Sequence, residues 1–443
     1  MSSIWVLGSG ECDQLGLGPD VPTAERPKKL ITLKVPVKLS KIVCGGLHTL
    51  ALTNEGQVYS WGCNDDGALG RSGTESNPEL VDKLPIAVSD IAAGDSHSIG
   101  CNKDLGVIYL WGRYRNVKHG NFMDIIKNPL RVGEFEFRRK KIQKVVSGAH
   151  HTLFLAGGQV SAVGEPENEN LGRLVLDRHK KEKSLGLRIE RAHYDKTKYK
   201  DIFAGNYHSF AVTESGELYA WGLNNYGQLG VGDYKNTRIM KQVQVIPNGQ
   251  VVSIVGGENH TVALTVNGEV YTWGKNDESQ LGYTLEDEEM KDNEEEKKEE
   301  VKIEETKNKE EVKSELVKPE QMNTEPINKD QVNTEQVKGD NVNKKPTTDT
   351  KVSTEEIKED KVSNDKAEKV KKNKNEKVES MKVDTEVVAK TPEELAAQLG
   401  DQGDPTNCSP IPRKLEGLTN IKKISSGTHY TYAISQEPAL YSW

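Results

Sequence analysis

Five histidines, His48, His97, His151, His208 and His260, stand 49 to 57 residues apart, each three residues after a glycine and directly before Ser or Thr. Imidazoles in number invite metal ligation or acid–base chemistry. The only adjacent pair, His150-His151, has no cysteine or acid at ligand spacing, so no metal site is expected. A histidine that recurs at one place in every repeat instead suits the satisfaction of buried polar groups where repeats meet. No Ser-His-Asp or paired-carboxylate arrangement can be read. The glycine-rich turns lack the lysine and following helix of a phosphate-binding loop. Covalent catalysis is therefore not expected, and no cofactor is called for.

The elements that place these histidines form a repeat. One strand ending recurs as Ile4–Gly8, Val58–Gly62, Ile108–Gly112, Val160–Gly164, Leu218–Gly222 and Val270–Gly274, and a seventh begins at Leu440-Tyr441-Ser442-Trp443. Between them lies glycine, two variable residues, His, Ser or Thr, then alternating apolar residues, as in Gly45 to Leu52; the sixth copy, Gly427 to Ile434, has Tyr430 at the histidine position. Alternation of period two bounded by turns such as Asn54-Glu55-Gly56 and Gly227-Gln228-Leu229-Gly230 predicts two hairpins, hence four strands, per repeat. A four-stranded blade cannot bury both faces alone, so radial stacking in a ring is the economical solution. The expectation is an all-β, seven-bladed β-propeller of roughly 50-residue repeats, its last blade incomplete. Trp61, Trp111, Trp221 and Trp273, repeated at a strand end, are expected in the core.

Residues 285–399 break the pattern. No Phe, Trp or Tyr occurs between Tyr283 and Tyr430, and Lys, Glu, Asn and Thr dominate. Such a stretch cannot offset its chain entropy by burial and is expected to be a disordered insertion. The organisation is thus repeats 1–5 and the start of 6 over residues 1–284, the insertion over 285–399, and the rest of repeat 6 with the start of 7 over 400–443. The formal charge of −8 is set by this segment; residues 285–396 alone sum to about −10, which leaves the repeats near neutral. Bulk charge therefore neither predicts nor excludes a nucleic-acid partner. The five cysteines are scattered without a C-x-x-C pair, which predicts reduced thiols in an intracellular protein. No leader pattern or long apolar run is present, so no membrane partner is expected.

The segment Gly56-Gln57-Val58-Tyr59-Ser60-Trp61-Gly62-Cys63-Asn64-Asp65-Asp66-Gly67-Ala68-Leu69-Gly70-Arg71, followed by Ala93-Gly94-Asp95-Ser96-His97, resembles the family of the regulator of chromosome condensation, exchange factors for the small GTPase Ran. The likeness spans nearly all of the chain outside the insertion. Its generic motifs also occur in propellers with other functions, including ubiquitin-ligase subunits. The resemblance implies that Arg113 to Phe122, which breaks the blade pattern after Trp111-Gly112, is the protruding wedge that pushes on the GTPase's phosphate-binding loop. Tyr114, Arg115, Asn116, Lys118 and His119 would then face Ran, with Asn116 where the family has an acid. It further implies Ran contacts at Asp95 and at Glu11, the latter in an aspartate position. His150 and Asn259, which replace an aspartate and a histidine of the family, would be neighbours of that site.

The same resemblance places a chromatin-facing basic loop after Gly172. There Arg173, Arg178, Lys180 and Lys181 are the candidates, and Arg178 is the first choice for the acidic patch of the histone dimer on the nucleosome, because a guanidinium fork binds paired carboxylates bidentately. DNA and importins are further candidate partners. The implied setting is the nucleus, on chromatin, with access to the cytoplasm after nuclear-envelope breakdown. The implied function is generation of Ran-GTP at chromosomes for nuclear transport and spindle assembly. The alternative is a propeller adaptor or chromatin scaffold of the same superfamily without exchange activity.

Overall fold

The computed structural model describes residues 4–30, 38–116, 120–121, 124–133, 136–137, 140–176, 187–193, 196–247, 249–284, 407–437 and 439–443. The expected insertion at 285–399 lies outside the described residues. Strands form wherever the alternating pattern predicts them, each closed by a turn whose geometry glycine permits.

Five sheets have four antiparallel strands. Blade I contains Leu39–Cys44, His48–Thr53, Val58–Gly62 and Glu79–Leu80. Blade II contains Asp90–Ala93, His97–Asn102, Val107–Gly112 and Ile126–Val132. Blade III contains Ile142–Ser147, His151–Ala156, Gln159–Gly164 and Glu190–Arg191. Blade IV contains Tyr199–Ala204, His208–Thr213, Leu218–Gly222 and Thr237–Val243. Blade V contains Val251–Gly256, His260–Thr265, Val270–Lys275 and Cys408–Lys414. Its fourth strand comes from beyond the interruption, with Lys275 paired to Cys408, so the sequence on either side of 285–406 meets within one sheet. Blade VI has three strands, Ile421–Ser426, Thr431–Ser435 and Leu440–Ser442.

This corrects the seven-bladed expectation. The described strands form six blades in a ring, and one of them is incomplete. The first of the seven strand endings, Ile4–Gly8, builds no blade: Trp5–Ser9 pairs only with Thr23–Lys29 in a two-stranded ribbon. The error has a physical source, since counting strand endings counts single strands, and only hydrogen-bonded partners turn a strand into a sheet.

Position within the ring decides burial. Second strands such as His48–Thr53 and His151–Ala156 are buried on both faces because a neighbouring blade covers each. First strands pack against the first strands of the adjoining blades, are innermost, and are only partly covered. Charges at equivalent points on the inner strands of blades I to IV alternate in sign, with Lys41 2.7 Å from Asp90 and Lys144 2.6 Å from Asp201. Trp61, Trp111, Trp221 and Trp273 are all fully buried. Each donates its indole N–H to the turn that precedes its blade, at Gln14, Ala68, Asn170 and Gln228 respectively, over 2.8 to 3.0 Å. Such a turn needs glycine: Gly70 has φ of 66° and a Cβ there would press into the Trp111 ring at 2.7 Å.

Candidate functional site

Two sets of loops converge on one mouth of the ring: the Gly-x-x-His loops and the segments that follow each Trp-Gly. The first set is joined blade to blade by backbone bonds. Asp95 donates its N–H to Ala149 (2.9 Å), Ala149 to Asn206 (2.8 Å), Asn206 to Gly257 (3.0 Å) and Glu258 to Thr428 (3.2 Å). The second set is tied to the first, since Arg113 donates to the Ser96 carbonyl and Glu165 to that of His150, both at 2.8 Å. The leading glycine is required by crowding, because a Cβ on Gly94 would collide with the His97 imidazole and the Gly148 carbonyl.

The histidines are clasps between blades. His48 Nε2 lies 2.8 Å from Ser98 Oγ, His97 3.1 Å from Thr152, His151 2.8 Å from Ser209, His208 2.8 Å from Thr261 and His260 3.3 Å from Thr431. Ser98 and Thr261 spend their own protons on the Ala68 and Gln228 carbonyls, so each accepts from the imidazole, which carries its proton on Nε2. Burial lowers their pKa values, to about 4 for His48 and His260 and about 3 for His151 and His208, and well below the ordinary value for His97. Neutral, buried and already bonded, they are poor acid–base catalysts. Among the described residues no group of three or more His, Cys, Asp or Glu could hold a metal ion.

Side chains available to a partner lie around this framework. Asp95 is half-buried and, with Leu47, His48, Cys63, Asp65 and Asp66, lines a cavity of about 110 Å³ at the junction of blades I and II. Burial, then the charges of Glu258, Asp95 and Glu165, carboxylates from three blades, push the phenol pKa of Tyr207 up. His150 is buried with its ring 5.7 Å from that of Tyr207. Asn259 accepts from Gln228 Nε2 at 3.4 Å, and Glu11 is exposed on the turn of the N-terminal ribbon.

After Trp111-Gly112 the chain leaves the blade as a small antiparallel ribbon, Arg115 opposite Asn121 and Asn116 opposite Gly120. At its base Arg113 lies 3.3 Å from Asp66. Tyr114, expected to face a partner, is instead fully buried, and a residue with no exposed surface cannot make that contact directly. Lys118 and His119 lie outside the described residues, as do Arg178, Lys180 and Lys181. Arg173 is placed differently from a docking arginine: its side chain is 8% exposed and its guanidinium lies 3.0 Å from Glu190. Arg71, at the same point of blade I, holds Glu79 at 3.1 Å in the same way. Sequence reasoning missed Glu165, Glu258 and Tyr207. Their signal was positional, because each directly follows a Trp-Gly-type glycine or falls between the glycine and histidine of the repeat.

The WD40_RLD family model, described as RCC1-like domain, matches residues 3–323. The human Regulator of chromosome condensation is 31% identical over 299 residues, covering 63% of this chain and 69% of the relative. The guanine nucleotide exchange factor SRM1 of Saccharomyces cerevisiae is 31% identical over 328 residues, 63% and 66% of the two chains. The human E3 ubiquitin-protein ligase HERC2 is 35% identical over 290 residues, which are 63% of this chain but 6% of that one. Among solved structures, Prp20p of Saccharomyces cerevisiae, described together with its binding to Gsp1p and histones, superposes with a TM-score of 0.67 at 24% identity, covering all of this chain and 80% of its own.

Proposed function

The chain belongs to the RCC1-like domain family, and from that membership we propose that it is a guanine-nucleotide exchange factor for the small GTPase Ran, acting while bound to chromatin. The observation that carries the reading is the ribbon at Arg115–Asn121. Among the described residues it interrupts one blade only, and its base at Arg113 is paired to Asp66, which lines the same cavity as Asp95.

Exchange asks for no covalent step. A GTPase holding nucleotide at picomolar strength resists dissociation by about 16 kcal/mol, so the factor must bind the empty GTPase far more tightly than the loaded one. In this reading Asp95 and the other carboxylates of its cavity, Asp65 and Asp66, hold cationic groups of the GTPase, while the ribbon displaces the contacts that grip phosphate and Mg²⁺. The factor emerges unchanged and favours neither GDP nor GTP, so the cellular excess of GTP sets direction. The basic segment around Arg178, Lys180 and Lys181 is the proposed contact with the histone-dimer surface, which would concentrate Ran-GTP at chromosomes. Nuclear entry through importins fits a relative, yeast RCC1, whose structure was solved bound to Kap60.

The similarity to HERC2 supports a second reading, a docking propeller without exchange activity. Release of mant-GDP from Ran separates the two. Acceleration by substoichiometric protein is expected, and a release rate equal to that of Ran alone leaves only the docking reading.

A further inference from the structure

At four places a turn closes onto the following blade through one carbonyl. That carbonyl, of Gln14, Ala68, Asn170 or Gln228, accepts the hydroxyl of the next second strand, from Thr49 (3.3 Å), Ser98 (2.8 Å), Ser209 (3.3 Å) or Thr261 (2.8 Å). It also accepts the tryptophan N–H described above. In three blades the turn is braced by an asparagine two residues after the Trp-Gly glycine: Asn64, Asn224 and Asn276 each accept the N–H of the turn leucine at 2.9 to 3.0 Å.

Blade II has given up this turn for the ribbon. Tyr114 stands at the asparagine position, and Val163 replaces the tryptophan that the turn would have covered in blade III. In blade III the strand hydroxyl without a turn carbonyl is that of Thr152. It is met by the Tyr114 hydroxyl at 2.9 Å, with His97 Nε2 at 3.1 Å and Ser147 Oγ at 2.8 Å on its other sides. The Tyr114 and His97 rings lie 4.1 Å apart, tilted by 43°. A phenol both donates and accepts, so it can stand where a carbonyl stood.

We propose that Tyr114 is a positioning residue for the ribbon, fixing its attitude to the mouth by anchoring the residue just before it in the clasp between blades II and III. A ribbon with two residues per strand is not stable alone. Unanchored, it would spend binding energy on its own ordering instead of on the displaced nucleotide. The Tyr114 bond on one side of the base and the Arg113–Asp66 pair on the other supply the missing constraint. The kinetic part of this inference rests on the exchange reading, whereas the structural part does not.

Tyr114→Phe keeps the ring and removes the hydroxyl; Ser209→Ala removes one clasp hydroxyl at a junction that keeps its turn. Hydrogen–deuterium exchange over residues 115–121 is expected to speed up about fivefold in Tyr114→Phe, the factor carried by one neutral hydrogen bond, and not in Ser209→Ala. Turnover in Ran-GDP exchange is expected to fall by a similar factor at unchanged KM, again in Tyr114→Phe alone. Wild-type deuterium uptake over 115–121 in Tyr114→Phe, or equal acceleration there in Ser209→Ala, overturns the proposal. An inactive wild-type protein defeats the exchange reading instead, and deuterium uptake still decides the role of Tyr114.

Discussion

His208 reaches across a blade junction to place Nε2 2.8 Å from the Thr261 hydroxyl, and Thr261 passes its own proton to the Gln228 carbonyl at 2.8 Å. The chain of donors has a fixed direction, and it works only while the imidazole is neutral. Because burial holds the folded pKa near 3, below the ordinary value of 6.5, the unfolded state binds the proton first. Stability is therefore full above pH 6.5 and is lost progressively as pH falls toward 3. Each clasp histidine contributes at most about 1.4 kcal/mol per pH unit in that window. Urea midpoints at pH 7.5, 6 and 5 should fall steeply, and His208→Gln should reduce the slope. A midpoint independent of pH over that range would show that the clasps do not exclude protons.

Trp221→Ala removes a fully buried indole and its 2.8 Å bond to Asn170. A loss of about 3–5 kcal/mol is expected from denaturant titration. Trp221→Phe should cost distinctly less, because most of the buried volume is kept.

Asp95→Ala leaves the backbone bond from residue 95 to Ala149 intact while deleting a carboxylate at the mouth. Ran exchange should slow by on the order of tenfold with nucleosome binding unchanged. Equal loss of both activities would mean that the two partners do not use separate surfaces.

Arg173→Ala and Arg178→Ala should differ in kind. The first breaks the pair with Glu190 beneath the outer strand of blade III and should lower the thermal midpoint. The second should weaken nucleosome binding, by on the order of tenfold, at an unchanged midpoint. Loss of nucleosome binding in Arg173→Ala without loss of stability would reverse these roles.

The repeat was legible because its determinants are local: the glycine before His97 is dictated by the imidazole three residues on, and Gly70 by the tryptophan ring it faces. Blade number was not, since Trp5–Ser9 has the sequence of a third strand yet pairs only within a ribbon. Nor could the approach of the His150 and Tyr207 rings to 5.7 Å be read, because residues from different blades meet only once the ring has formed. The burial of Tyr114 and Arg173 was hidden for one reason. Polar side chains in a loop suggest contact with a partner, whereas here the loop base is sunk into the protein and those groups satisfy its interior.

The backbone bonds that run from Asp95 to Ala149, Asn206 and Gly257 involve no side chain, although the residues they join are as different as an acid, an alanine, an amide and a glycine. The mouth is thus built as a fixed socket ring into which side chains are set like interchangeable teeth. A substitution at Asp95, Ala149 or Asn206 changes what the ring can grip without changing its diameter, so new binding specificities can arise one blade at a time while the glycines that set the architecture stay constant.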